Sequence, residues 1–89
     1  MVSAKSIHIK GLVQGVGFRP FVYRMALVHN IFGWVENNND GVRIHAEGDG
    51  ADLRSFIISL KENAPVASQI YEMTVTDLDI NNFNDFLIR

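Results

Sequence analysis

Apolar and polar positions alternate in some stretches of the chain and recur at helical spacing in others. The stretch KSIHIKGLV alternates, with Ile7 and Ile9 on one face and His8 on the other, and this predicts a half-buried strand. The stretch RPFVYRMALVHNIF has helical spacing, with Pro20 in its first turn and a stop at Gly33. The apolar stripe predicted for this helix comprises Phe21, Met25, Val28 and Phe32.

The second half of the chain places turn signals between further periodic segments. In GWVENNNDGVRIHAEG, the polar run from Asn37 to Gly41 predicts a turn between two strands. A second helix is predicted in GDGADLRSFIISLKENAP, with Asp49 or Gly50 as its cap and Pro65 barring its continuation. Its apolar stripe comprises Leu53, Phe56, Ile57 and Leu60. SQIYEMTVTDL alternates as another strand, and DFLIR predicts a short last one.

The predicted order of elements is β-α-β-β-α-β, with a short extra strand at the end. Two amphipathic helices against one face of a mainly antiparallel sheet give an α+β, ferredoxin-like βαββαβ sandwich. No linker or repeat divides the sequence, so residues 1–89 are predicted to form one domain. Because this fold carries many unrelated functions, function has to be inferred from a site.

Composition and charge exclude several classes of function. Apolar residues make up 47% of the chain and charged residues 20%, which indicates a folded domain. The net charge is −2 without any basic run, so nucleic acid is not an expected partner. No apolar run approaches the roughly 20 residues of a membrane span, so no membrane partner is expected. The lack of cysteine removes thiolate chemistry and, with no apolar signal segment at the start, indicates a cytoplasmic location.

The stretch VQGVGFRP, between the first predicted strand and the first helix, concentrates glycine beside an arginine. Gly15 and Gly17 let the backbone curve so that N–H groups at the helix N-terminus converge on an anion. Arg19 follows, and its planar guanidinium can hold two oxygens of a phosphate. The residues predicted to bind phosphate are Gln14, Gly15, Val16, Gly17, Phe18 and Arg19. A tight turn followed by a solvated arginine is the alternative, and spacing alone leaves both open.

Two segments together resemble a known family. GLVQGVGFRP followed by GWVENNNDG resembles the acylphosphatase family, whose members carry a V-Q-G-V-x-F-R loop and a later G-W-V-x-N segment. More narrowly, GFRPFVYRMA and the Asn-x-x-Asp-Gly-Val run are similar to the N-terminal acylphosphatase-like domain of HypF-type carbamoyltransferases, which are large hydrogenase-maturation proteins. Stand-alone acylphosphatases usually carry one more residue after the Asp-Gly turn and an aromatic residue after the final IR. Both departures favour a domain excised from a longer protein.

This resemblance implies hydrolysis of the carboxyl–phosphate bond of acyl phosphates. In the HypF-like case the substrate is carbamoyl phosphate, and further domains of the same polypeptide are expected partners. The resemblance assigns phosphate binding to Arg19 and orientation of the attacking water to Asn37. An acyl phosphate has a good leaving group and demands no covalent nucleophile. The sequence has no cysteine and suggests no metal cluster, so no metal or other cofactor is expected. A stand-alone acylphosphatase and a non-catalytic module that binds phosphate or acyl phosphate are the alternatives.

The sheet surface gives weaker signals. An RNA-binding sheet shares this order of elements but needs exposed aromatic residues on its central strands. The outward positions predicted for those strands are His8, Lys10, Arg43, His45 and Glu47. They offer no aromatic platform, so RNA binding is not expected. The histidines, His8, His29 and His45, lie in different elements without ligand spacing, so no zinc site is predicted and all are expected to point outward.

The remaining polar and aromatic residues are given structural roles. Asn38 and Asn39 are predicted to form the turn, an alternative that also applies to Asn37. Trp34 is expected to pack against neighbouring residues rather than to stack on a ligand. The residues of the first helix expected to face solvent are Arg24 and His29. The acidic turn predicted near the end of the last long strand, at Asp77 and Asp79, has no evident partner.

Overall fold

The computed structural model describes residues 1–89. In chain order the elements are β1 Val2–Leu12, α1 Phe18–Val28, β2 Phe32–Asn38, β3 Gly41–Asp49, α2 Gly50–Glu62, β4 Gln69–Leu78 and β5 Phe86–Ile88. The strands form one sheet in the order β4-β1-β3-β2-β5, in which only the short β5 runs parallel to its neighbour. The predicted ferredoxin-like sandwich, with its short last strand, is therefore confirmed.

The core lies between the two helices and one face of the sheet. Alternation in β1 brings Ile7 and Ile9 to that face, where both are fully buried. The helix residues that pack against the sheet are Phe18, Phe21, Val22, Ala26, Leu53, Phe56 and Leu60. Burying one such side chain contributes about 1.5–3 kcal/mol, so this interface holds the elements in place.

Helix α1 ends earlier than the pattern predicts, and its buried stripe is different. Pro20 lies in the first turn as predicted, but the helix ends at Val28 because Asn30 adopts the left-handed conformation, with a φ of 57°. The Ile31 N–H donates to the Ala26 carbonyl at 2.8 Å, which completes a Schellman-type end. The predicted stop at Gly33 is therefore wrong. Val28 and Phe32 from the predicted stripe are exposed, and Phe32 begins β2.

The hairpin between β2 and β3 is tighter than the polar run predicts. Asn38 pairs with Gly41, so only Asn39 and Asp40 lie between the strands. Neither Asn39 nor Asp40 has a positive φ, so this is not one of the primed turns common in hairpins. Strand pairing extends through Asn38, so the turn predicted for Asn38 is wrong. Asn37 is therefore a strand residue and not part of the turn.

The outward face of the sheet is partly covered, which contradicts the prediction for two residues. His45 and Glu47 are only 5% and 2% exposed. The covering segment, which we define as residues 79–85, crosses them: the Asn81 N–H donates to Glu47 Oε2 at 2.6 Å and the Phe83 N–H donates to Oε1 at 3.1 Å. His45 Nε2 donates to Glu47 Oε2 at 2.8 Å, and the Phe83 ring lies edge-on to the imidazole with centroids 5.0 Å apart.

Predictions for four individual residues, Asp49, Asp77, His29 and Arg24, are partly confirmed. Asp49 caps α2 as predicted, since its carboxylate accepts a hydrogen bond from the Ala51 N–H at 3.1 Å. Asp77 belongs to β4 and forms an ion pair with Lys5, so the prediction of a partnerless acidic turn is wrong there. His29 is half-buried at the end of α1 rather than solvent-facing, whereas Arg24 is exposed as expected. None of the helices has the length and hydropathy needed to cross a bilayer.

Candidate active site

The glycine loop connects β1 to α1 and owes its shape to two left-handed glycines. Gly15 has a φ of 74° and Gly17 a φ of 78°, and Gly17 is the N-cap of α1. A Cβ atom at either position would meet no atom within 4 Å, so conformation and not space selects glycine there. A residue with a side chain pays about 1–2 kcal/mol in this region. The glycines therefore fix the curvature of the loop.

The backbone N–H groups from Gln14 to Arg19 are free of other protein groups. The loop, turn and cap hydrogen bonds include none that these amides donate. Phe18 and Arg19 lie in the first turn of α1, where no carbonyl four residues earlier belongs to the helix, and Pro20 has no N–H to offer. Such a set of unpaired donors at the positive end of a helix favours an anion.

A cavity of about 210 Å³ lies at this loop. Its lining residues are Val13, Gln14, Gly15, Gly17, Phe18, Arg19, Pro20 and Asn37. The structure thus brings Arg19, Asn37 and most of the predicted loop residues to one place. Val16 is the exception, since it is absent from the lining and packs partly buried against the core.

Arg19 is half-buried and is held by the last residue of the chain. Its Nη1 donates to the Arg89 carbonyl oxygen at 3.0 Å, and the Arg89 N–H donates in turn to the Val35 carbonyl at 2.8 Å. No aspartate or glutamate side chain forms an ion pair with Arg19. The sequence offers no signal for this contact, because it depends on β5 pairing with β2.

Asn37 is exposed near the end of β2. Alternation along the strand places it on the same face as the buried Val35, which is the face that the helices cover. Its side-chain amide takes part in none of the protein's side-chain hydrogen bonds. The amide therefore keeps a donor and an acceptor available to a bound molecule.

The Gln14 side chain ties the loop to the hairpin. Its Nε2 donates to the Asn38 carbonyl at 2.7 Å and to the Gly41 carbonyl at 3.1 Å. From the sequence, Gln14 is predicted only as a phosphate-binding loop residue, and this link is not predicted. No pattern in the sequence indicates these two hydrogen bonds, because they depend on how the hairpin packs against the loop.

His8 and Asp40 contact each other at the hairpin, and alternation with the buried Ile7 and Ile9 places His8 on the sheet face opposite the helices. His8 Nε2 is 2.9 Å from Asp40 Oδ1 and 3.0 Å from Asn38 Nδ2. The hydrogen bond from His8, together with the nearby charges of His8 and Lys10, outweighs partial desolvation and lowers the pKa of Asp40. The cavity lining itself contains no carboxylate, imidazole, thiol or hydroxyl side chain. No group of three or more histidine, cysteine or acidic residues gathers anywhere in the protein.

Comparison with known proteins supports one family. Residues 5–88 match the family described as acylphosphatase. The acylphosphatase of Leuconostoc mesenteroides is 43% identical over 89 residues, which cover 99% of this chain and 99% of the relative. The probable carbamoyltransferase HypF of Methanocaldococcus jannaschii is 46% identical over 83 residues, which cover 92% of this chain and 11% of that protein. The chain thus spans about a tenth of one relative and nearly all of the other.

Similar solved structures also include both a HypF protein and a stand-alone acylphosphatase. A crystal structure of full-length HypF in its phosphate- and nucleotide-bound form aligns with a TM-score of 0.97 and 43% identity, covering 100% of this chain and 12% of that one. The crystal structure of acylphosphatase from Bacillus subtilis aligns with a TM-score of 0.89 and 37% identity, covering 100% and 99%. The chain therefore belongs to the acylphosphatase family, a family of hydrolases.

Proposed function

We propose that this protein hydrolyses the carboxyl–phosphate bond of acyl phosphates at the cavity beside the glycine loop. The oxygen of a water molecule forms a bond to phosphorus while the bond between phosphorus and the carboxyl oxygen breaks. The electron pair of that bond leaves with the carboxylate, and both protons of the water remain on the phosphate product. The observation that carries the proposal is that free loop amides, Arg19 and Asn37 line one cavity.

Phosphoryl binding is supported by the number and kind of donors at the loop. A transferring phosphoryl group spreads its charge over three equatorial oxygens and needs donors already in position. The amides from Gln14 to Arg19 can supply several, and the guanidinium of Arg19 adds a charged donor that no aspartate or glutamate side chain occupies. Because the Arg89 carbonyl holds Nη1, the guanidinium is oriented before the substrate arrives.

Orientation of the water is supported by the free amide of Asn37. A neutral amide can accept a hydrogen bond from water and donate one to a phosphoryl oxygen without adding negative charge beside a dianion. The cavity lining offers no side chain of the kinds that form covalent phosphoryl intermediates or act as a general base. The route that fits these residues is direct attack by water, with catalysis by positioning and electrostatic stabilisation.

The substrate class has two candidates. A relative named acylphosphatase that covers 99% of both chains favours a stand-alone enzyme acting on simple acyl phosphates. The similarity to HypF favours carbamoyl phosphate as the second candidate, with residues 1–89 acting as one domain of a longer polypeptide. Comparison of kcat/KM on acetyl phosphate, benzoyl phosphate and carbamoyl phosphate separates them. A preference for carbamoyl phosphate of tenfold or more would favour the second candidate. The proposed location is the cytoplasm.

The proposed activity predicts a specific pattern among arginine variants. Arg19→Ala is expected to lose a factor of about 10²–10³ in kcat/KM on acetyl phosphate, the usual loss when one preorganised donor is removed. Arg19→Lys should recover little, because an ammonium group cannot reproduce the planar fork. Arg24→Ala, which removes an exposed arginine from the same helix, should keep wild-type activity. Wild-type activity in Arg19→Ala would contradict the proposed site.

A second variant separates catalysis from binding alone. Asn37→Ala is expected to lower kcat by a similar factor and to leave phosphate affinity, measured by NMR titration, within about threefold of wild type. A wild-type protein that binds phosphate but hydrolyses none of the three substrates would instead support the non-catalytic binding module.

A further inference from the structure

We propose that the side chain of Gln14 is a positioning residue that holds the hairpin carrying Asn37 at its working distance from the phosphate-binding loop. The inference rests on the proposed function and goes beyond the backbone role that Gln14 has as part of the loop. Gln14 touches the hairpin and not the reacting atoms, so it acts through Asn37. Two hydrogen bonds of the Gln14 side chain, and their place in the hairpin, support this role.

Both hydrogens of the Gln14 side-chain amide are used in the same connection. Nε2 donates one hydrogen to the Asn38 carbonyl at 2.7 Å and the other to the Gly41 carbonyl at 3.1 Å. Asn38 and Gly41 face each other as the last paired residues of β2 and β3. The two acceptors therefore define the orientation of the amide, since its oxygen could not take the place of the nitrogen.

The contact lies one peptide unit from the residue that it is proposed to position. Asn38 directly follows Asn37 in β2, so a shift of the Asn38 carbonyl moves the Cα atom of Asn37 with it. Gln14 lies in the loop whose amides form the other half of the cavity. No other loop side chain donates a hydrogen bond to the hairpin, so this amide is the direct link between the two halves.

The remaining contacts at the hairpin do not duplicate this link. The Gly11 N–H donates to the Asp40 carbonyl at 3.2 Å, but Gly11 belongs to β1 and lies before the glycine loop. Gly41 packs so closely on β1 that an added Cβ would lie 1.8 Å from the Ile9 carbonyl oxygen. These contacts hold the hairpin on the sheet, whereas Gln14 sets its distance from the loop.

This arrangement predicts a separation between binding and turnover. The loop amides and Arg19 bind phosphate through groups that the Gln14 side chain does not supply, so phosphate affinity should survive its loss. The direction of attack by water depends on Asn37, and a misplacement of about 1 Å can cost on the order of 10²-fold in rate. A positioning role therefore lowers kcat and leaves phosphate binding and KM nearly unchanged.

The test replaces Gln14 with methionine, which has similar length and no hydrogen-bonding amide. For Gln14→Met we expect kcat on acetyl phosphate to fall about 10- to 100-fold, with KM and the dissociation constant of inorganic phosphate within about threefold of wild type. Amide chemical shifts of Asn38 and Gly41 should change. Gln14→Asn keeps the amide on a shorter side chain and should lose kcat as well. Gln69→Met, the same change at an exposed glutamine in β4, should behave as wild type.

Other results for the Gln14 variants would contradict either the positioning role or the proposed function. Wild-type kcat in Gln14→Met or Gln14→Asn would overturn the positioning role while leaving the proposed function intact. Loss of phosphate affinity in parallel with kcat would also overturn it, because the side chain would then support the loop itself. Circular dichroism and thermal unfolding verify that the variants are folded. A wild-type protein without activity, by contrast, would remove the proposed function and this inference with it.

Discussion

Single residues at this site are defined by which of their groups are left free. One guanidinium nitrogen of Arg19 donates to the Arg89 carbonyl oxygen, and no aspartate or glutamate side chain pairs with Arg19. The Asn37 side chain takes part in none of the protein's side-chain hydrogen bonds. Asn37 and most of the loop are exposed, so the unpaired donors alone do not indicate a ligand; their position at the N-terminus of a helix is what favours an anion. The left-handed conformations of Gly15 and Gly17 give the loop a curvature that lets successive N–H groups face the same side.

Replacement of Gly17 by alanine tests whether this backbone shape matters for phosphate. Alanine in the left-handed region costs about 1–2 kcal/mol, so Gly17→Ala should lower the free energy of unfolding by that amount or relax the loop. Either result should weaken phosphate binding, measured by NMR titration. Gly50→Ala is the matched control, because α2 begins there with ordinary helical geometry and an added Cβ would meet only Arg54, at 3.7 Å. It should be neutral or stabilising by up to about 1 kcal/mol. Equal effects of the two variants would contradict the prediction.

At the scale of helices and strands, local sequence patterns predict the features that local interactions determine. The alternation around Ile7 and Ile9 and the apolar stripe of α2 were sufficient to predict a strand and a helix, because each pattern reflects burial on one face of one element. The end of α1 could not be predicted from Gly33, since Asn30 also tolerates the left-handed conformation and precedes it in the chain. The candidate site rests on the loop sequence and the family resemblance, and the roles of its residues stay predictions. The contacts of Gln14 and Arg89 were not predicted, because they join residues distant in sequence.

The left-handed conformation of Asn30 predicts how substitutions at the end of α1 affect stability. Asn30→Ala should destabilise the protein by about 1 kcal/mol, because alanine loses the local interactions that let asparagine adopt a positive φ. Asn30→Gly should be neutral within about 0.5 kcal/mol, as glycine is the common residue at this position. Asn63 also follows a helix but has a φ of −112°, so Asn63→Ala should have little effect. Urea unfolding of the three variants measures this order, and an equal loss in Asn30→Ala and Asn63→Ala would contradict it.

Across the whole molecule, β5 connects the covering segment to the candidate site. Residues 79–85 pass over His45 and Glu47 and lead directly into β5. At the end of β5 the Arg89 guanidinium lies 4.5 Å above the Trp34 ring, which stacks on His45, while the Arg89 carbonyl receives the hydrogen bond from Arg19. The outward face of the sheet is thus a packed layer that ends at Arg19, the residue proposed to bind phosphate. This layer depends on Glu47, since the carboxylate accepts two backbone N–H groups of the covering segment.

The Glu47 carboxylate therefore predicts how stability depends on pH. Burial raises the pKa of Glu47, but hydrogen bonds from the Asn81 N–H, His45 and the Phe83 N–H together lower it below its ordinary value of 4.5. A carboxyl whose pKa is lowered by folding contributes stability that is complete above that ordinary value and is lost as the pH falls through the lower, folded-state pKa. We expect the free energy of unfolding, measured with urea between pH 7 and pH 3, to fall below about pH 4.5.

Substitution of Glu47 assigns that loss to one residue. Glu47→Gln should cost about 1–3 kcal/mol at pH 7, because a buried amide cannot accept all three hydrogen bonds and leaves donors unpaired. It should also make the stability curve less steep below pH 4.5, since one of the carboxyls whose pKa is lowered by folding is gone while Asp40 and Asp49 remain. Glu62→Gln makes the same change at an exposed position at the end of α2 and should retain the wild-type curve. If Glu47→Gln lost stability toward low pH as steeply as Glu62→Gln does, another carboxyl would carry the acid sensitivity and the covering segment would not depend on the charge of Glu47.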